Sequence, residues 1–233
     1  MTNVKKQAIK AVIFDLDGTL VDSEPNYFEA EKKLFAEYGI NNFDFEMKKK
    51  YVGKSTKDTL TDYKKNYSIE ESVETLTKKM NKYYLDIAKN NTVIFPEMRK
   101  FLELLKANNY RMALASGSSS EIIDEILFIT GLKDFFDVTL SSESVRKGKP
   151  APDVFLEAAK LLGIPPENCL VLEDSNYGVE AAKNASMYCI AIPYFTEKPL
   201  AQSFLMSDLL LKDGIKSFSA EKAFKWMRNI HKE

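Results

Sequence analysis

The chain has 233 residues, 45% hydrophobic and 29% charged, with 33 Lys and Arg against 34 Asp and Glu for a net charge of −1. That length supports one large core plus a smaller module, and the near-neutral balance gives no global field for nucleic acid or an anionic membrane surface. The one histidine, His231, stands near the carboxyl end, which argues against Ser-His-Asp and Cys-His catalysis, His-based zinc sites and histidine phosphorelays alike.

In chain order, Met1 to Lys6 lack the apolar stretch of a signal peptide, and no apolar run reaches the roughly 20 residues that cross a bilayer. A cytoplasmic protein with no membrane partner is expected. Ala11 to Phe14 predict a buried parallel strand that ends abruptly in Asp15-Leu16-Asp17-Gly18-Thr19. Ligands of open α/β sheets collect beyond such strand ends. Two apart on an extended chain, Asp15 and Asp17 leave the same side of the strand and can address one substrate atom; equally, an Asp here can cap the following turn. An EF-hand loop is excluded, because its glycine belongs at the sixth position and Gly18 stands at the fourth.

From about Pro25 to Lys89 the composition shifts to Lys, Glu, Tyr and Asn, with Phe28, Leu34, Phe35 and Tyr38 at amphipathic helix spacing. This predicts a helical cap domain inserted at residues 25–89, bounded by Pro25 and Pro96, with residues 1–24 and 90–233 forming the core. Inside it, Gly53-Lys54-Ser55 is no nucleotide P-loop, since Lys48 stands where that pattern needs a glycine; Ser55 reads equally well as a helix cap.

Four further short apolar runs then alternate with helices: Arg111 to Ala115, Val138 to Leu140, Leu170 to Leu172 and Tyr188 to Ile192. Phe101, Leu102, Leu104 and Leu105 form one helical stripe, and Phe155, Ala158, Ala159, Leu161 and Leu162 another before Gly163. Leu209 to Leu211 add an edge strand, and a last helix is predicted over Ala220 to Ile230. Cys169 and Cys189 lack metal-type spacing and fit buried thiols in a reducing compartment, where Asn90-Asn91-Thr92 carries no glycan. The predicted class is α/β, a Rossmann-like parallel sheet core with an inserted all-helical domain.

Polar clusters close the later strands too: Ser116-Gly117-Ser118, then Lys149-Pro150, then Glu173-Asp174. In a parallel sheet these tips share one edge and converge on one crevice. Taken singly, Ser116 is as readily a helix cap and Lys149 a solvated loop residue.

In that order, Asp15-Leu16-Asp17-Gly18-Thr19, Ser116, Lys149-Pro150 and Glu173-Asp174 with Gly178 resemble the haloacid dehalogenase superfamily from about Ile9 to Leu211. Ala113 to Ser116 and Gly148 to Asp153, together with the early helical insert, resemble its β-phosphoglucomutase-like branch. The resemblance implies magnesium-dependent phosphoryl transfer through an aspartyl-phosphate on Asp15. It implies Asp17 as general acid and then base, worth roughly 10²–10⁴-fold in rate, and closure of the cap to exclude water around it. Dehalogenases and transport ATPases of the superfamily lack an aspartate there.

By the same resemblance Ser116 and the Gly117 amide hold phosphate oxygens and Lys149 neutralises charge beside Asp15. The magnesium ligands it implies are Asp15, the backbone carbonyl of Asp17, and Asp174. Glu173, facing away from Asp174 on an extended chain, is either an outer partner of the metal or a partner of Lys149, and Gly178 is expected to allow close helix packing. Glu24, Tyr27, Lys54, Ser55, Thr56 and Lys57 are candidate contacts to the rest of the substrate.

Authentic β-phosphoglucomutases carry an arginine and a histidine where Thr56 and Tyr27 stand here. A phosphatase acting on a small phosphorylated metabolite, with a sugar phosphate as the leading candidate, is therefore expected ahead of a mutase or a non-catalytic binding module. A monomer without nucleic-acid partners completes the expectation.

Overall fold

Short apolar runs, each followed by a polar turn, build the sheet. The computed structural model describes residues 8–230, so His231 and the Met1 to Lys6 segment lie outside the described residues. Strands β1 (Ala11–Phe14), β2 (Arg111–Ser116), β3 (Val138–Ser141), β4 (Cys169–Glu173), β5 (Tyr188–Ala191) and β6 (Leu209–Leu210) form one parallel sheet in the order β3-β2-β1-β4-β5-β6. Phe14 sits level with Leu114 on one side and Leu172 on the other. The chain leaves β1 toward β2 and returns across it to β4, so the crevice where strand order reverses opens at the tip of β1.

Helices are α1 (Glu24–Glu37), α2 (Phe45–Lys49), α3 (Thr56–Asn66), α4 (Val73–Asn91), α5 (Pro96–Ala107), α6 (Ser120–Thr130), α7 (Asp153–Leu162), α8 (Asn176–Asn184) and α9 (Ala220–Asn229). Alternation along β1 sends Val12 and Phe14 into one layer with Phe101, Ile122 and Met227, and Ala11 and Ile13 into the other with Phe155 and Val179. Alanines at 113, 115, 158, 159, 181 and 182 let α7 and α8 approach that second face closely. Each fully buried Phe or Leu in these layers contributes roughly 1.5–3 kcal/mol of transfer free energy. None of the described helices is long and apolar enough to cross a membrane.

The predicted elements stand with small shifts of boundary. Helix α1 begins at Glu24, with Pro25 in its first turn, where a missing N–H costs nothing; α4 runs on to Asn91. Leu161 departs from the predicted stripe: it is 51% exposed, while Phe155, Ala158, Ala159 and Leu162 are buried. It lies one position beyond the arc that α7 turns to the sheet.

Helix α1 packs on α4, with Tyr27 stacked on Tyr84 at 4.0 Å between ring centres, and Phe35 meets Phe43 and Tyr63. Asp44, Ser55 and Ser72 cap α2, α3 and α4, each accepting the amide three residues on. The turn between α2 and α3 reaches the strand tips. Gly53, at φ +83, lies so near Ser175 that a Cβ there would overlap its side chain, and the Thr56 amide donates to the Gly117 carbonyl at 3.4 Å.

Candidate active site

The Asp15 amide donates to the Leu172 carbonyl at 3.1 Å, which carries the β1–β4 pairing one step further and fixes Asp15 over the crevice. Its carboxylate is buried and accepts from Lys149 Nζ at 2.5 Å. Lys149 donates as well to Glu173, whose second oxygen accepts from the Ser175 amide and hydroxyl at 3.3 and 3.1 Å. Both Glu173 oxygens are thus engaged, and Glu173 stands behind Lys149.

Burial pushes the Asp15 carboxyl well above the usual carboxylate range; Lys149 opposes the shift, and Glu173 and Asp17 add to it. Burial works against the Lys149 ammonium, yet Asp15 and Glu173 outweigh it and hold its pKa above the ordinary value. Removing the cation from this triad, by Lys149→Met, leaves two buried carboxylates unpaired and is expected to cost about 3–5 kcal/mol. Urea unfolding reads that loss directly; an unchanged midpoint would mean that the carboxylates find other partners.

Asp174 accepts from Thr19 Oγ1 at 3.2 Å through Oδ1, while its Oδ2 is buried without a hydrogen-bond partner. Gly18, at φ +75, leaves that oxygen its space, since a Cβ there would overlap it. Burial, then Glu173 and Asp15, raise the Asp174 carboxyl well above its usual range. Asp15, Glu173 and Asp174 each offer a carboxylate oxygen within 4.8 Å of the others, and an orphaned buried oxygen among them fits a hard divalent cation.

Asp17 faces the loop after β2. Ser118 Oγ donates to its Oδ2 at 2.6 Å and Ser116 Oγ at 3.2 Å, leaving Oδ1 buried and unpartnered. With the Ser118 proton so committed, the 2.6 Å contact between Tyr27 and Ser118 is a phenol donating to the serine. Burial, with Asp17 next, pushes the Tyr27 phenol well above its ordinary value, so it keeps that proton.

Ser116 does not cap α6; Ser119 does, accepting from the Ile122 amide. Asp15, Asp17, Gly117 and Ser118 line one cavity with Glu24, Tyr27, Lys54 and Thr56 from the inserted helices. Ser55 is not part of that lining. It caps α3 and spends its hydroxyl on Asp58 at 2.7 Å, and Lys57 is exposed on the helix surface.

Gly178 differs from the expectation of general helix packing. A Cβ there would overlap the Glu173 carboxylate itself, so the glycine makes room for the charged triad. Gly178→Ala is expected to cost about 1–3 kcal/mol or more by overpacking, seen as a lowered melting temperature together with lost activity. Undisturbed melting and turnover would show that Glu173 has room to move.

Ser118, Thr19 and Ser175 were not singled out from sequence as partners of these carboxylates. Ser118 and Thr19 stood inside the motifs at the ends of the first two strands without a partner assigned, and nothing local marked Ser175.

A sequence profile described as haloacid dehalogenase-like hydrolase matches residues 12–192. The phosphorylated carbohydrates phosphatase of Thermotoga maritima is 32% identical over 183 residues, 77% of this chain and 82% of that protein. The β-phosphoglucomutase of Bacillus subtilis is also 32% identical, over 79% of this chain and 83% of its own length. The crystal structure of β-phosphoglucomutase from Clostridium difficile superposes with a TM-score of 0.80 at 26% identity, covering 97% of this chain and 100% of that one. The strand tips, the buried carboxylates and these likenesses agree: the chain belongs to the haloacid dehalogenase-like hydrolase family, in its β-phosphoglucomutase-like branch.

Proposed function

We propose that the chain, a phosphatase of this family, hydrolyses a small phosphorylated metabolite of the sugar-phosphate class through an aspartyl-phosphate on Asp15. The observation that carries this reading is that Asp15, clamped by Lys149, shares one cavity lining with Asp17, which keeps one buried oxygen without a hydrogen-bond partner. In this reading residues 25–89 are a cap over the site.

An Asp15 oxygen attacks phosphorus, the bond from phosphorus to the ester oxygen breaks, and Asp17 gives its proton to the departing alkoxide. Water then attacks the phosphorus of the acyl phosphate while Asp17 takes its proton, releasing inorganic phosphate and restoring both carboxyls. Ser116 and the Gly117 amide hold the phosphoryl oxygens, and Lys149 offsets their charge. Asp15, Asp174 and the Asp17 carbonyl would hold magnesium, which when bound supplies positive charge between two anions that otherwise repel.

Water is the acceptor in this proposal because Thr56 and Tyr27 occupy the positions at which a mutase carries an arginine and a histidine. Nor does Tyr27 stand free to serve there: its hydroxyl is committed to Ser118. The test is phosphate release from a panel of sugar phosphates and nucleotides with magnesium and with chelator. Release that chelator stops supports the reading. Conversion of glucose 1-phosphate to glucose 6-phosphate without net phosphate release would replace it by the mutase.

A further inference from the structure

The cavity that holds Asp15 and Asp17 also contains charges that the phosphoryl chemistry does not use. Lys48 Nζ lies 3.0 Å from Glu24 Oε2 and 3.3 Å from Glu31 Oε2, and Tyr63 donates to the other Glu31 oxygen at 3.3 Å. Glu24, Glu31 and Lys48 are 5%, 4% and 4% exposed, and all three line the cavity. The other lysine in that lining, Lys54, is held by Asp62 at 2.8 Å. So each cation on the cavity wall already faces a carboxylate, and Lys48 faces two.

We infer that this phosphatase takes esters whose leaving group is an uncharged polyhydroxyl chain, and turns away esters bearing a second phosphate or a carboxylate. The inference rests on the phosphatase reading and specifies its substrate. Burial raises the Glu31 carboxyl, with Lys48 opposing; charged or protonated, Glu31 leaves the three side chains with no net positive charge. A second anion in the cavity finds no unpaired cation and must either break a buried ion pair or lie against a carboxylate, and both are costly.

A sugar or polyol chain offers what this wall lacks. Its hydroxyls donate, and Glu24 Oε2 and Glu31 Oε2 contact Lys48 by charge but have no well-aligned hydrogen-bond donor. Asp17, with its Oδ1 buried and without a hydrogen-bond partner, lines the same cavity. Discrimination here lies in what the wall repels as much as in what it attracts.

The deciding experiment compares glucitol 6-phosphate with glucitol 1,6-bisphosphate, which differ by one phosphate, using the magnesium-loaded protein. The expected kcat/KM ratio favours the monophosphate by about 100-fold, the scale of one unpaired like charge at an effective dielectric near 20. Glu24→Gln removes one of the two carboxyls that face Lys48 and Glu31→Gln, separately, the other; each is expected to narrow that ratio, by about tenfold where a full charge is lost. Melting curves identify a variant that has not folded, and the other variant then decides.

Equal rates for the two esters, or a ratio that neither folded variant changes, overturns the inference. If the wild type turns over no ester, p-nitrophenyl phosphate included, the phosphatase reading is what fails. Calorimetric binding of the same two esters then decides the preference: tighter monophosphate binding upholds it and equal affinity overturns it.

Discussion

Replacing Asp15 by asparagine is expected to abolish phosphate release, a fall of about 10⁴-fold or more, the scale on which a group at the centre of covalent catalysis is lost. The protein should nevertheless stay folded. Asparagine keeps the shape that the β1–β4 crevice encloses and removes a carboxylate whose burial is costly. A carboxyl with a raised pKa in the fold stabilises it below the ordinary carboxylate value, and that stability is lost as pH rises through the folded pKa. In metal-free buffer the melting temperature of Asp15→Asn, relative to wild type, is therefore expected to climb as pH rises from the ordinary carboxylate range upward. A folded Asp15→Asn protein that still turns over at more than a few per cent would transfer the nucleophile's role elsewhere, and a difference that shrinks with pH would refute the burial argument.

Legibility differed by the range of the interaction. Strands β1, β2, β4 and β5 could be read because a parallel strand buried on both faces is apolar without interruption, and the polar residue that ends it marks the tip. Asp15, Ser116 and Asp174 were visible for that reason, since the sheet itself brings tips together, whereas Lys149 stands eight residues past the end of β3 and was legible only through the order of the motifs. Their partners were not. Thr19 meets Asp174 and Ser118 meets Asp17 across gaps of 155 and 101 residues, and although all four stand in clusters read as strand tips, the sequence does not say which side chain pairs with which.

Lys48 shows the limit most plainly. It stands in the run Lys48-Lys49-Lys50, where composition gives a solvated face, yet it alone of the three is buried. What singles it out is the pair of carboxylates that α1 holds over α2, a consequence of how two helices pack. Gly178 was legible only as a glycine. Its reason is the Glu173 carboxylate, which no helix pattern contains.

Asp17→Asn is expected to separate the two halves of the reaction. For a sugar phosphate the departing alkoxide needs a proton, so loss of the acid should lower kcat by about 10²–10⁴-fold. For p-nitrophenyl phosphate the leaving group departs without one, and the first step should stay fast. The acyl phosphate on Asp15 would then wait for a water molecule that no base activates. Rapid mixing should therefore show a burst of nitrophenolate near one equivalent per protein, followed by slow turnover, whereas the sugar phosphate should give no burst. Ser116 and Ser118 fix the geometry that makes this substitution clean: they hold Oδ2 at 3.2 and 2.6 Å, and asparagine can present its carbonyl oxygen to the same hydroxyls. A merely structural Asp17 would slow both esters alike, and equal losses with no burst would remove it from the chemistry.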